Sequence, residues 1–447
     1  MLLTRSIVNR LVIFYVLFFL FFLLISYAAF PAWYDGLLQL SMLLIGAVLI
    51  IMLIKTKIGI GTWFLIFVYH VLFAFLMRSI DVAVYNNPLG AYAVDSVFYQ
   101  YCGEHYANYP IGSLFQYLTY NGYNIDDFGY PIITWMGYYL FGEYGLNAII
   151  FFNGFVIALG SYYLYRLSLN FVSHTYAKLV ALIWGIMPFA IYTSSAGLKE
   201  NFFAFCVICV FYFFYQYVYQ KKKASIVYCI IFLLSLFLFR LAAGYFAILS
   251  IISYYVLQPN FVRRHLKSFI FIVLVCIVPL FPIITSSVLK QRGYDYESIS
   301  ASKDTKTEAT GGVVASVTNV VAGFIGPIPN FIANDPVKHT YITRYSYTPF
   351  IKIIISFFFL YGLYFIVKKR QDLGIVPLFI FIILNMMMMI FTFYTLHDRY
   401  HWPAIPLFLI VSAWGYTKAC EWGGRTLRMY KFYVIGVMLL IVVFNFR

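Results

Sequence analysis

Several charged side chains stand at the edges of long apolar runs, where a charge is costly and its type matters. Asp95 opens the stretch AVDSVFYQYCGEH, with Phe98, Tyr99 and Cys102 three, four and seven positions on. That spacing predicts a short amphipathic helix with the acid in its first turn. A partly desolvated carboxylate there suits a general base acting on a hydroxyl. A first-turn acid that complements the helix dipole has the same signature. Asp126 and Asp127 precede Phe128-Gly129-Tyr130-Pro131. They read as a second acidic group, as ligands of a divalent metal, or as plain turn residues. Glu104 and His105 could join Asp95 around a metal, but no spacing here is diagnostic of one.

The cations suggest the other half of a reaction. Lys199 and Glu200 lie in SSAGLKEN between two apolar runs. A lysine there can hold a phosphate as a point charge, with Asn201 donating beside it; it can also snorkel and pair with its neighbour. Arg240 is the most isolated charge in the chain, between FLLSLFLF and LAAGYFAIL. A guanidinium so placed either clamps a phosphate bidentately, pairs with an acid inside the bundle, or snorkels at a helix end. His397, Asp398, Arg399 and His401 crowd one turn before Trp402-Pro403-Ala404-Ile405-Pro406. Arg399 can meet charge developing on a departing phosphate, while Asp398 can simply pair with it in water.

The elements that carry these groups are membrane spans. The chain has 447 residues, of which 63% are hydrophobic and 11% charged, with a mean hydropathy of +0.85. A soluble domain cannot hide that much apolar surface. Runs of roughly 15–22 apolar residues predict an all-α polytopic protein with about thirteen spans, at 10–30, 37–54, 60–79, 145–165, 177–194, 201–219, 225–239, 241–257, 268–288, 349–367, 373–394, 403–420 and 432–446. The first is read as a retained span, because it lacks a small-residue cleavage site. The segment 130–141 is too short to cross and reads as re-entrant or interfacial.

Alternating the sides from a cytoplasmic N-terminus places the basic clusters at 55–57, 221–223, 263–267, 368–370 and 425–431 inside. That satisfies the positive-inside rule without forcing any span. The net charge of +15 is then explained by anchoring, and no nucleic-acid partner is implied. Nearly all acids fall outside; Asp372 and Glu421 are exceptions. Two long external regions result, 80–144 and 290–348. Residues 291–312 are polar and without period, whereas 313–334 are apolar around GPIP and fit an interfacial helix and turn. Cys206 and Cys209 have CxxC spacing, but inside a span they read as packing. No phosphate-binding glycine loop, GxSxG elbow or 20–50-residue repeat is visible.

One resemblance joins these pieces. An acid before a Tyr-rich helix, then Gly129-Tyr130-Pro131 and a short apolar run ending in Phe141-Gly142, resembles the first external loop of GT-C glycosyltransferases. These polytopic enzymes include the protein mannosyltransferases and the lipid A aminoarabinose transferases. The stretch from Ser194 to Glu200 resembles one in bacterial surface-polysaccharide glycosyltransferases and polymerases. Arg399-Tyr400 followed by Pro403-Ala404-Ile405-Pro406 resembles a late segment of many GT-C members. The likeness covers roughly 80–245 and 395–420. In the family the acid often follows the first span; here it follows the third.

The resemblance implies a multi-pass protein of the bacterial inner membrane with its site on the external, periplasmic face. The donor would be a polyprenyl-phosphate- or diphosphate-linked sugar, and the acceptor a glycan or lipid hydroxyl. Asp95 would be the base, and Arg240, Arg399 and Lys199, with Glu200, would bind the donor phosphate. Asp126, Asp127, Glu104 and His401 are secondary candidates, and a divalent metal is an open alternative. The rival readings are an O-antigen or capsule repeat-unit polymerase and a lipid-linked glycan flippase. A transporter would want its charges at mid-membrane, and here they sit at helix ends.

Overall fold

A computed structural model describes residues 33–90, 94–257, 320–328, 336–369, 372–392, 398–421 and 424–445. The regular elements among these residues are all helices. The N-terminal half carries α1 (Trp33–Lys55), α2 (Ile60–Tyr85), α3 (Val94–Tyr106), α4 (Ile111–Tyr120), α5 (Gly129–Phe141) and α6 (Gly145–Ser168). The centre carries α7 (His174–Gly185), α8 (Pro188–Ser195), α9 (Glu200–Gln220), α10 (Ala224–Phe239) and α11 (Leu241–Val256). The C-terminal part carries α12 (Pro336–Lys369), α13 (Val376–Thr392), α14 (Asp398–His401), α15 (Ile405–Glu421) and α16 (Gly424–Asn445).

Among the described residues, seven helical segments are long and apolar enough to cross a membrane. Three further apolar segments, Ser41–Lys55, Ala224–Phe239 and Leu241–Val256, are shorter. They fall below the ~20 residues that a straight crossing needs. The expected spans at 10–30 and 268–288, the polar loop at 291–312 and His397 lie outside the described residues. The protein is thus a helical membrane-embedded chain.

α9 is the axis of the bundle. Its residues from Phe203 to Tyr215 are almost all buried, and it packs on α6 and α10. α2 lies along α6, α12 along α15, and α11 along α13. In lipid such contacts are driven by close packing, so small residues matter at them. Gly415 shows this on α15. A Cβ there would collide with the Phe358 carbonyl of α12, 2.9 Å from its carbon and 3.3 Å from the Gly362 nitrogen. Gly415→Ala is therefore expected to lower stability by ~1–3 kcal/mol, as overpacking does. Its thermal midpoint in detergent checks this; an unchanged midpoint would show that α12 and α15 have room to part.

Two differences from the expected elements bear on the site. α2 runs to Tyr85, six residues beyond the predicted end, and stops where Asn86 adopts φ 50°. Within it Arg78 is buried. Its guanidinium donates to the Ser195 and Leu146 carbonyls and to Asn147 Oδ1 at 3.0–3.3 Å. The segment 130–141 is helical, as α5, and folds back on α6 through a turn at Gly142–Tyr144. Of the apolar stretch 313–334, residues 320–325 are helical and Gly326 turns the chain at φ 114°.

Helix order gives the bundle two chemically distinct ends. Lys55, Lys57, Arg166, Lys221, Lys222, Lys223, Lys368 and Lys369 share one end. Asp372 and Glu421, the expected exceptions, lie there too and both meet Lys418, at 3.0 and 3.3 Å. Asp95, Asp127 and Glu200 share the other.

Candidate functional site

The acidic end gathers residues from five separate stretches. α8 ends at Ser195, and Gly197, at φ 66°, turns the chain into α9. A left-handed position of this kind favours glycine. The turn delivers Lys199 and Glu200 to the start of α9, both buried. α10 ends as Arg240 takes an extended conformation, and α11 begins immediately after it. The short 3-10 turn Ile125–Asp127 packs against α10. α3 brings Asp95, and α14 brings Arg399.

Arg399 is the hub. Its Nη2 meets Asp95 Oδ2 at 2.5 Å, and its Nε donates to Glu200 Oε1. The Glu200 side chain is 5% exposed and that of Asp95 46%. One arginine thus holds one desolvated and one accessible carboxylate. The second oxygen of Glu200, Oε2, is buried and has no hydrogen-bond partner among the described residues. Glu200, expected among the phosphate-binding groups, instead accepts from Arg399, as a carboxylate can only accept hydrogen bonds.

Lys199 does not pair with its neighbour Glu200. Its Nζ lies 3.6 Å from Asp127 Oδ1 and 3.4 Å from the Phe239 carbonyl, which it caps at the end of α10. Orphaned carbonyls at a helix C-terminus favour such a cation. Burial, and next the nearby Arg240 charge, push the Lys199 ammonium below the ordinary lysine value of 10.5. Arg240 lies over the Tyr400 ring, 4.5 Å from its centroid. Among the described residues no carboxylate pairs with it.

Other candidates fall differently. Asp126 is buried beside Asp127. Glu104 is exposed and takes a weak hydrogen bond from Gln100 at 3.4 Å, so it does not join Asp95. His105 stacks on Tyr101. Among the described residues no three His, Cys, Asp or Glu side chains gather around a metal-sized space. His401 is buried, and its Nδ1 meets Lys352 Nζ at 2.9 Å; the lysine also donates to the Gly323 carbonyl at 2.8 Å. Asn201, expected to donate to a phosphate beside Lys199, faces the bundle. Its amide donates inward, to the Ala190 carbonyl and to Ser194 Oγ at 2.8 and 2.9 Å, and Ser194 in turn meets His70 Nε2 at 2.5 Å. It has no donor left for a phosphate. Cys206 and Cys209 are buried and free, which fits packing.

Sequence reasoning missed three contributors. Tyr99 was placed on the apolar face of α3, where it is indeed buried. Burial, then the Asp95 and Glu200 charges, push its hydroxyl well above the ordinary tyrosine value, so it stays a neutral donor beside the carboxylates. Tyr400 supplies the face on which Arg240 rests. Lys352 supports the turn that carries Arg399; its signal was a lone lysine inside the apolar run Phe350-Ile351-Lys352-Ile353.

Three cations and three carboxylates thus converge at one helix end of an all-helical membrane protein. Comparison with protein-family models, with curated proteins and with solved structures finds no match for this chain.

If Lys199 holds an anion, binding should weaken as pH rises through its depressed pKa, below 10.5, because only the ammonium form attracts it. Lys199→Arg, charged throughout that range, should move the alkaline limb upward. A phosphate-binding profile against pH checks this, and an unmoved limb would remove Lys199 from the anion site.

Proposed function

We propose that the protein is a GT-C-like membrane glycosyltransferase that moves a sugar from a polyprenyl-phosphate-linked donor to an acceptor hydroxyl. In this reading it works at the external face of a bacterial inner membrane, in surface-polysaccharide synthesis. The observation that carries the reading is the Arg399 hub: an accessible carboxylate and a buried one share an arginine, beside Lys199 and Arg240. A base and a set of phosphate cations are what the transfer requires.

The donor phosphate enters among Lys199, Arg240 and Arg399. It competes with Asp95 for the Arg399 guanidinium and frees that carboxylate. Asp95 then takes the acceptor's O–H proton as the acceptor oxygen bonds to C1 of the sugar. The C1–O bond to phosphate breaks, and the leaving phosphate keeps the electron pair, stabilised by the cations. Glu200 stays on Arg399 throughout and holds it in place. Tyr99 donates to whichever carboxylate or sugar oxygen lies nearest.

The test is transfer by the purified protein in nanodiscs, offered polyprenyl-phosphate monosaccharides and polyprenyl-diphosphate oligosaccharides with acceptor glycans. Product from the first donor supports this reading. Product only from the second makes the protein a repeat-unit polymerase. Movement of carrier across vesicles with no product overturns transfer.

A further inference from the structure

At the basic end of the bundle a groove runs between the start of α2 and the end of α6. It has a volume of about 1060 Å³. Its walls are Trp63, Phe67, Phe155 and Leu159, and its mouth is formed by Lys57, Arg166 and His174. The walls open outward: Phe64 and Phe155 are each 60% exposed. On a membrane protein that exposure faces acyl chains.

The mouth is built. Lys178, itself buried, donates to the Thr56 carbonyl and so pins the turn that carries Lys57. His174 Nε2 and the Tyr165 hydroxyl meet at 2.7 Å, and Arg166 reaches the Tyr212 hydroxyl. Among the described residues no carboxylate pairs with Lys57, Arg166 or His174. Cationic charge therefore converges above an apolar slot that opens to the bilayer. Basic pockets between membrane helices are suited to anionic headgroups.

We propose that this groove binds one anionic glycerophospholipid, with an acyl chain against Trp63 and Phe155 and the headgroup phosphate at Lys57 and Arg166. The site lies at the opposite end of the bundle from the Arg399 hub. It rests on the protein being membrane-embedded and not on sugar transfer, so either reading can fail alone. Charge complementarity selects the occupant: a zwitterionic lipid fills the slot but gives these cations no net charge.

Trp63 reports on occupancy. The full-length protein would be placed in phosphatidylcholine nanodiscs with a rising fraction of phosphatidylglycerol brominated on its chains. The Trp63 signal is the difference between wild type and Trp63→Phe. Half-maximal quenching is expected at a mole fraction lower than for brominated phosphatidylcholine by about fivefold for each cation engaged. Lys57→Gln, at an exposed residue whose loss should not disturb folding, should reduce the preference by about fivefold. Arg166→Lys, which keeps the charge, should leave most of it. Equal quenching by the two lipids, or an undiminished preference in Lys57→Gln, would overturn the proposal.

Discussion

Asp95→Asn is expected to lower sugar transfer by ~10²–10⁴-fold, the usual contribution of a general base, while donor binding changes little. The substitution keeps shape and an acceptor oxygen for Arg399 but removes the proton-taking charge. It should not unfold the protein. The Asp95 side chain is 46% exposed, and exposed ion pairs are worth about 0–1 kcal/mol. The measurement is product formation beside donor binding in the same nanodiscs. Full transfer by a folded Asp95→Asn protein would remove Asp95 from the chemistry. Loss of binding with transfer intact at saturating donor would make it a docking residue.

Arg399→Met should cost about 3–5 kcal/mol of stability, because it strands a buried carboxylate. The Glu200 side chain is 5% exposed, and its Oε2 lacks a partner among the described residues. The double variant Arg399→Met/Glu200→Met removes both charges at similar volume and is expected to regain most of the loss. Under the proposed function both proteins should be inactive, since each lacks the Arg399 guanidinium. Unfolding midpoints of wild type, both single variants and the double close a cycle whose coupling term isolates the pair. A near-zero coupling would mean that water reaches Glu200 and that the hub is a surface contact. Restored stability without restored transfer would separate the structural part of Arg399 from its chemical one.

These residues were legible in the sequence for one reason. Asp95, Lys199, Arg240 and Arg399 each interrupt or abut an apolar run, and charge in that setting needs a partner. The separation of a basic end from an acidic one was legible too, because basic clusters recur after alternate spans. The partners were not legible. Arg399 was weighed against its neighbour Asp398 and Lys199 against its neighbour Glu200, whereas the structure joins Lys199 to Asp127. Sequence spacing speaks for contacts along one helix and is silent on contacts between helices. Asn201 was assigned to phosphate from its position beside Lys199. One step along α9, from Glu200 to Asn201, turns a side chain about 100°, and that step carries Asn201 from the site into the bundle. Arg78 and Lys352 met the same test as Arg240, a charge inside an apolar run, and applying it to every such residue would have found them.

The Glu200–Arg399 contact also has a temporal side. Its two residues are 199 positions apart, so at ~5–20 residues per second the ribosome needs roughly 10–40 s to deliver the second after the first. Through that interval the central helix is present with its carboxylate unanswered. The late turn that carries Arg399 can reach it only after every intervening segment has been threaded in the right direction. The Glu200–Arg399 pair can therefore close only late in synthesis, once the chain as far as Arg399 has followed the central helix.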